Sequence, residues 1–250
     1  MTKQLVQKVA ARAGFLLEKR TVHTSSEHRR LALMRSLGIE TVLDVGANAG
    51  QYGTALRKSG YRGRIVSFEP TPGAFARLEE VARTDALWDV RQLALSDDDG
   101  TTTMNVSASD PWSSLLDADP RADEIARIAP VAQVAVPMSR LDSLDGVVDE
   151  RTWLKLDVQG FELHVLRGAK QALERISVVE TEIMLEPFYA GQPTVREIVD
   201  VLDDHGFAFA AVDNGWVRES GRARWMDGVF VRQHRDAPTD APVPARLSTS

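Results

Sequence analysis

The stretch Gly46-Ala47-Asn48-Ala49-Gly50 follows directly on the apolar run Thr41–Val45, and a helical pattern opens behind it. A strand that breaks into glycines around small residues lets backbone come close to a bound group, because glycine has no Cβ and tolerates positive φ. One strand later "RIVSFEP" ends in Glu69, about where an acidic residue accepts hydrogen bonds from a ribose diol. An ionised carboxylate can take both ribose hydroxyls through charge-assisted bonds. Each signal alone reads as a capping turn or an exposed strand end; in register they point to a nucleoside-containing ligand. Further on, Asp157 follows the run Thr152–Leu156, and Glu180 and Glu182 share one face of the run Val178–Leu185 by the strand period of two. Buried carboxylates are costly unless paired. These acids are therefore candidates for orienting or deprotonating a hydroxyl.

The elements that must position these groups alternate. Strands are expected at Thr41–Val45, Arg64–Phe68, Trp88–Leu95, Thr152–Leu156 and Val178–Leu185, with helices at Gly50–Ser59, Pro72–Arg83 and Phe161–Glu174 between them. Such alternation implies parallel strands joined by right-handed crossovers. Thr194 and Glu197 form a capping box for a further helix, and Thr24 with Glu27 forms one for a helix ending at Leu37 and Gly38. Phe207–Val212 and Gly228–Arg232 are too close in sequence for a helical crossover, so they should pair antiparallel. The middle, 96–144, is irregular: a strand at Thr101–Val106, a long loop through "ASDPWSSLLDADP", and a short helix capped by Asp119 and started by Pro120. The expected class is α/β, a Rossmann-like, mostly parallel sheet with an antiparallel C-terminal strand and helices on both faces.

In an open parallel sheet, ligands bind beyond the carboxyl ends of the strands where strand order reverses, and the first strand usually flanks that point. The turn lacks the middle glycine of a dinucleotide fingerprint, having Asn48 instead, and no Tyr-x-x-x-Lys pair supports a short-chain dehydrogenase. The terminal antiparallel pair favours S-adenosylmethionine over a nicotinamide dinucleotide. An NAD-dependent oxidoreductase and a non-catalytic cofactor-binding partner protein remain as alternatives.

"DVGANAGQY", "FEPTPGAFARL", "LALSDDDG", "SSLL", "LKLDVQGFELHVLRGA" and "EIMLEPFYAGQP", in this order and spacing, resemble the FkbM family of S-adenosylmethionine-dependent methyltransferases over roughly residues 31–231. The resemblance implies a class I methyltransferase fold and O-methylation of a sugar, glycolipid or polyketide-type hydroxyl. It implies that Asp44, Gly46, Asn48, Gly50 and Gln51 frame the methionine moiety, that Glu69 and Pro70 hold the ribose, and that Leu95, Ser96 and Asp97 border the adenine. Ser113, Ser114 and Tyr189 fall to the acceptor, and Trp112, Phe188 and Trp216 are further aromatic candidates for its wall. Asp157 and Glu182 become the catalytic carboxylates, with Glu182 favoured over Glu180 because it matches the family glutamate before "PFYAGQ". Gln159 is a departure, since the family more often has glutamate there. His23 and His28 are reserve bases if the N-terminal segment folds over the site. His164 falls in a helix behind the site.

The chain has 250 residues, 43% of them hydrophobic, enough for one sizeable core. Its net charge of -6 provides no positive field to recruit nucleic acid. With no cysteine there are no disulfides, thiolate catalysis or cysteine-based zinc sites. Carboxylates suit magnesium or manganese, but no metal-binding spacing stands out and no metal site is assigned. Residues 1–38 are expected to be a helical cap or lid, basic and amphipathic at the start, with a membrane-surface helix as the other reading. Residues 39–233 form the methyltransferase domain, and the proline-rich 234–250 a disordered tail. No run suits a signal peptide or a membrane span, so a cytoplasmic protein is expected. The expected partner is a small-molecule or glycosylated acceptor, with homo-oligomerisation left open.

Overall fold

The computed structural model describes residues 24–108 and 110–233, with Arg12 and Thr21. The amphipathic start, His23 and the tail expectation lie outside the described residues. The seven strands of the main sheet are β1 (Thr41–Val45), β2 (Arg64–Phe68), β3 (Trp88–Arg91), β7 (Thr152–Leu156), β8 (Ile176–Met184), β9 (Phe207–Asn214) and β10 (Trp225–Arg232), in the order β3-β2-β1-β7-β8-β10-β9. The five strands from β3 to β8 are parallel, and β10 runs antiparallel between β8 and β9. Strand order reverses between β1 and β7, which places a crevice beyond their carboxyl ends.

Period-two alternation sends the two faces of the sheet to different helices. Leu43, Val45, Leu154 and Leu156 pack under α5 (Glu162–Arg167), α6 (Lys170–Leu173) and α7 (Val195–Asp204). Val42, Ile65, Trp153 and Val178 pack under α1 (Ser26–Ser36), α2 (Gln51–Ser59) and α3 (Pro72–Ala82). Every residue of β1 and β7 is buried. Each large apolar side chain so enclosed contributes about 1.5–3 kcal/mol. Towards the carboxyl ends, however, the second face turns polar. Asp44 stands opposite Lys155, Lys155 opposite Glu180, and Glu182 opposite Asp227.

Several local expectations are corrected. The expected strand Trp88–Leu95 divides between two sheets: β3 stays in the main one, while β4 (Ala94–Leu95) joins β5 (Gly100–Ser107) and β6 (Pro130–Ser139) in the order β4-β6-β5. The proposed helix Phe161–Glu174 is two short helices interrupted at Gly168, where a Cβ would stand 1.8 Å from the Ser96 carbonyl oxygen. Asp119 does not cap a helix. It accepts the Arg121 N–H at 2.8 Å within a turn, and the helix α4 (Ile125–Ile128) begins later. Ser25, not Thr24, precedes α1, and Glu27 accepts from the Ser59 hydroxyl instead of closing a box. The Thr194–Glu197 capping box is present as expected.

Candidate active site

A cavity of about 430 Å³ lies beyond the carboxyl ends of β1, β2, β7 and β8, and the segment Pro111–Ser113 forms part of its wall. Asp44, 0% exposed, is part of the same wall. The Ser67 hydroxyl donates to its Oδ2 at 3.3 Å, while its Oδ1 has no hydrogen-bond partner. Burial pushes this carboxyl up to about 6, against the pull of Lys155. An orphaned carboxylate oxygen in a cavity wall is a costly feature, which a bound ammonium would offset.

The turn beside Asp44 is shaped by close approach within the protein itself. Gly46 has φ 81°, and a Cβ on it would stand 1.9 Å from the Asp157 carbonyl oxygen. The glycine lets the first turn press against the end of β7, so ligand approach is not its only cause. Gly50, also at positive φ, precedes α2 and faces Leu78 and Trp88 rather than the cavity. Asn48 takes φ 48° and gives its N–H to Glu69 Oε2 at 2.9 Å. Glu69 Oε1 accepts from the Thr71 N–H and hydroxyl at 2.9 and 2.6 Å. Glu69 therefore ties the β1 turn to the β2 turn as well as lining the cavity.

The wall also holds Asp157, Gln159 and Glu182, from β8 and the turn after β7. Lys155 Nζ donates to Asp157 Oδ2 at 2.8 Å, and Gln159 Nε2 donates to Asp157 Oδ1 at 2.8 Å and to Glu182 Oε2 at 3.0 Å. Burial raises the Asp157 carboxyl, but Lys155 and Gln159 outweigh it and hold it below the ordinary carboxylate value. Its side chain keeps 37% exposure, towards the cavity it lines. Glu182 goes the other way. Burial, then Asp157, Glu162 and Asp227, push it well above its ordinary value. Asp227 is likewise raised to about 7, by burial first and Glu180 next. The neighbours therefore favour an ionised Asp157 beside a protonated Glu182.

Glu180, two residues from Glu182, is fully engaged. It accepts from Arg30 of α1, from the Tyr52 hydroxyl at 2.5 Å and from Trp153 Nε1 at 3.0 Å. The Tyr52 ring, with the Arg30 guanidinium 5.0 Å and Lys155 Nζ 5.4 Å from its centroid, is part of the cavity wall.

Of the residues singled out in sequence, Asp44, Gly46, Asn48, Gln51, Glu69, Pro70, Leu95, Ser113, Asp157 and Glu182 line the cavity. Gly50, Ser96, Asp97, Ser114 and Tyr189 stand behind it. Asp97 meets His164 Nδ1 at 3.0 Å, and the His164 ring stacks on Phe161, itself a wall residue. Ser114 donates to the Gln159 carbonyl oxygen at 2.7 Å. The Tyr189 hydroxyl faces the Trp112 carbonyl oxygen at 2.9 Å and Gln159 Oε1 at 3.1 Å. Trp112 reaches the cavity, whereas Phe188 and Trp216 do not. His28 is on α1 beside Ser25, away from the lining. Lys155, Tyr52, Phe161 and Trp225 escaped the sequence reading. A lysine inside the apolar run "WLKL" was the available signal for the first. Among the described residues, no group of three or more histidine or acidic side chains is disposed to hold a metal ion, and no helix is long and apolar enough to cross a membrane.

The family model for the methyltransferase FkbM domain matches residues 44–209. The 2-O-methyltransferase NoeI of Sinorhizobium fredii (strain NBRC 101917 / NGR234) is 25% identical over 184 residues, covering 70% of this chain and 76% of that protein. Methyltransferase sdnD of Sordaria araneosa is 30% identical over 198 residues, 66% and 73% of the two chains. Among solved structures, magnesium protoporphyrin IX methyltransferase (ChlM) from Synechocystis PCC 6803 with bound SAM aligns with a TM-score of 0.47 at 13% identity, covering 93% of this chain and 86% of that one.

Proposed function

The chain belongs to the FkbM methyltransferase family, and we propose that it moves the methyl group of S-adenosylmethionine to a hydroxyl of a sugar, glycolipid or polyketide-type acceptor. The observation that carries this reading is one cavity whose wall holds both an unpartnered buried carboxylate oxygen, on Asp44, and a partly exposed, ionised carboxylate, Asp157. The 2-O-methyltransferase NoeI supports oxygen as the atom methylated. The methyltransferase match displaces the oxidoreductase alternative.

The residues present fit the donor. Asp44 Oδ1 would take the ammonium of its methionine part, Glu69 its ribose hydroxyls, and the apolar side chains of Phe68, Leu95 and Phe161 its base. When bound, S-adenosylmethionine supplies a methyl carbon already activated by the sulfonium charge. The protein's work is then alignment and proton removal, of which alignment alone is worth up to about 7–11 kcal/mol in favourable models. Asp157 accepts the hydrogen bond of the acceptor hydroxyl on the edge it turns to the cavity, and takes the proton. Lys155 keeps that carboxylate ionised until it does so.

The test is transfer of labelled methyl from S-adenosylmethionine to a panel of glycosides, glycolipids and macrolides. Asp157→Asn should lower turnover by about 10²–10⁴-fold, the usual worth of a general base, with donor affinity nearly unchanged. Glu69→Ala should do the reverse, weakening donor binding by about 1.5–3 kcal/mol. Donor binding without transfer to any acceptor would leave a non-catalytic binding protein.

A further inference from the structure

Gln159 lies in the turn between β7 and α5, with φ 54°, a left-handed conformation unusual for glutamine. A side-chain amide has two N–H donors and one carbonyl acceptor. Both donors are used, one on Asp157 Oδ1 at 2.8 Å and one on Glu182 Oε2 at 3.0 Å. Its Oε1 faces the Tyr189 hydroxyl at 3.1 Å. The reversed amide would set its oxygen against two carboxyls, so the surroundings determine its orientation.

We propose that Gln159 is a positioning residue for the transfer: its amide separates the Asp157 and Glu182 carboxyls and fixes the edge that Asp157 turns to the acceptor. The inference rests on the reading of Asp157 as the group that receives the acceptor hydroxyl. Two carboxyls that flank one amide repel when both are ionised, so without a donor between them the ionised one is pushed to take up a proton. A proton taken up by Asp157 would remove the basic oxygen needed for the acceptor. The charged and titratable groups around the pair make this acute. Asp44 faces it from β1, Glu180 from β8, Asp227 from β10 and Glu162 from α5, with Lys155 of β7 as the countering cation and Tyr52 and Tyr189 as neutral hydroxyls. A donor that serves both carboxyls stabilises the arrangement without adding charge. Glutamine does this where a glutamate would place a third acid.

The experiment needs no acceptor. Asp and Glu carboxyl carbons are labelled with carbon-13 and titrated by NMR in the full chain without added donor, with Asp157→Asn and Glu182→Gln supplying the assignments. In the wild-type protein Asp157 and Glu182 should titrate as two separated steps. In Gln159→Met, which keeps length but has no N–H, the Asp157 midpoint should rise by about one pH unit or more, about tenfold in proton affinity. Gln159→Glu should raise it further, and Tyr189→Phe, which frees the amide, should raise it less. Unchanged midpoints in a folded Gln159→Met protein would overturn the proposal. If that variant does not fold, the wild-type protein decides alone. The Gln159 side-chain N–H signals, found with glutamine-labelled protein, should exchange slowly and move with the titration of both carboxyls; fast exchange and no movement would overturn it equally. A protein that passes these tests yet transfers no methyl group refutes the functional reading and not the role of the amide.

Discussion

Glu180 and Glu182 are two residues apart on one strand and face the same way, yet their surroundings treat them oppositely. Under α1, Glu180 is met by Arg30, Tyr52 and Trp153 and is held below its ordinary value: burial opposes this, but Arg30 outweighs it. At the cavity, Glu182 has the Gln159 amide as its hydrogen-bond donor and Asp157, Glu162 and Asp227 as electrostatic neighbours. The sheet supplies carboxyls along this face, and the covering elements decide what each becomes. Where a helix covers the face, the charge is matched and the patch serves stability. Where the cavity opens, the carboxyl has acidic neighbours in place of a cation of its own, and its proton is held.

The comparison breaks first at Arg30. Arg30→Ala should cost about 3–5 kcal/mol in denaturant unfolding, since it leaves a buried carboxylate without its cation. A loss below 1 kcal/mol, an ordinary surface-pair effect, would mean that α1 does not seal this patch. Glu180→Gln should cost less, about 1.5–3 kcal/mol, the scale of hydrogen bonds to a charged group. Glu182→Gln should be near neutral or stabilising by about 1 kcal/mol at pH 7, because it removes a proton-dependent strain rather than a matched pair.

The pH dependence sharpens the same contrast and is the smallest effect. Glu182 and Asp227 have folded values above their unfolded ones, so the stability they contribute is full below about pH 4 and is lost as pH rises through the raised values, about 7 for Asp227. Glu180 and Asp157 are depressed, so theirs is present above about pH 4 and is lost as pH falls through their folded values. Unfolding followed across pH should therefore weaken on both flanks. Glu182→Gln should flatten the upper flank and Glu180→Gln the lower. The reverse assignment would show that the two patches have been exchanged.

The parts legible in the sequence were those with a periodic signal. Five parallel strands, the capping box at Thr194 and the antiparallel end follow from alternation and turn chemistry alone. The second sheet did not, because β3 and β4 follow each other in the short stretch Trp88–Leu95 with no glycine or proline to mark where one sheet ends and the other begins. β6, with most of its residues exposed, carries no clean in-out alternation. At the site, groups at the ends of predicted strands were found: Asp44, Glu69, Asp157 and Glu182 all line the cavity. What was missed depends on contacts between distant segments. Arg30 and Glu180 are 150 residues apart, and the demand on Gly46 comes from the Asp157 carbonyl oxygen.

The seam between the two sheets has a consequence for how the protein opens. β5 and β6 are held by a small apolar cluster around Ala94, Met104 and Val136, whereas β1 and β7 sit in the two large ones. Small sheets with little core open locally at lower free energy than the strands of a main core. Amide hydrogens of β5 and β6 should thus exchange with deuterium well before those of β1 and β7. Met104 of β5, which borders the cavity, belongs to the faster set, whereas Leu95 of β4 packs in a large cluster. The pocket would then have one wall that breathes and one that does not, so a ligand could enter through a local fluctuation while the carboxyls of the main sheet stay in register.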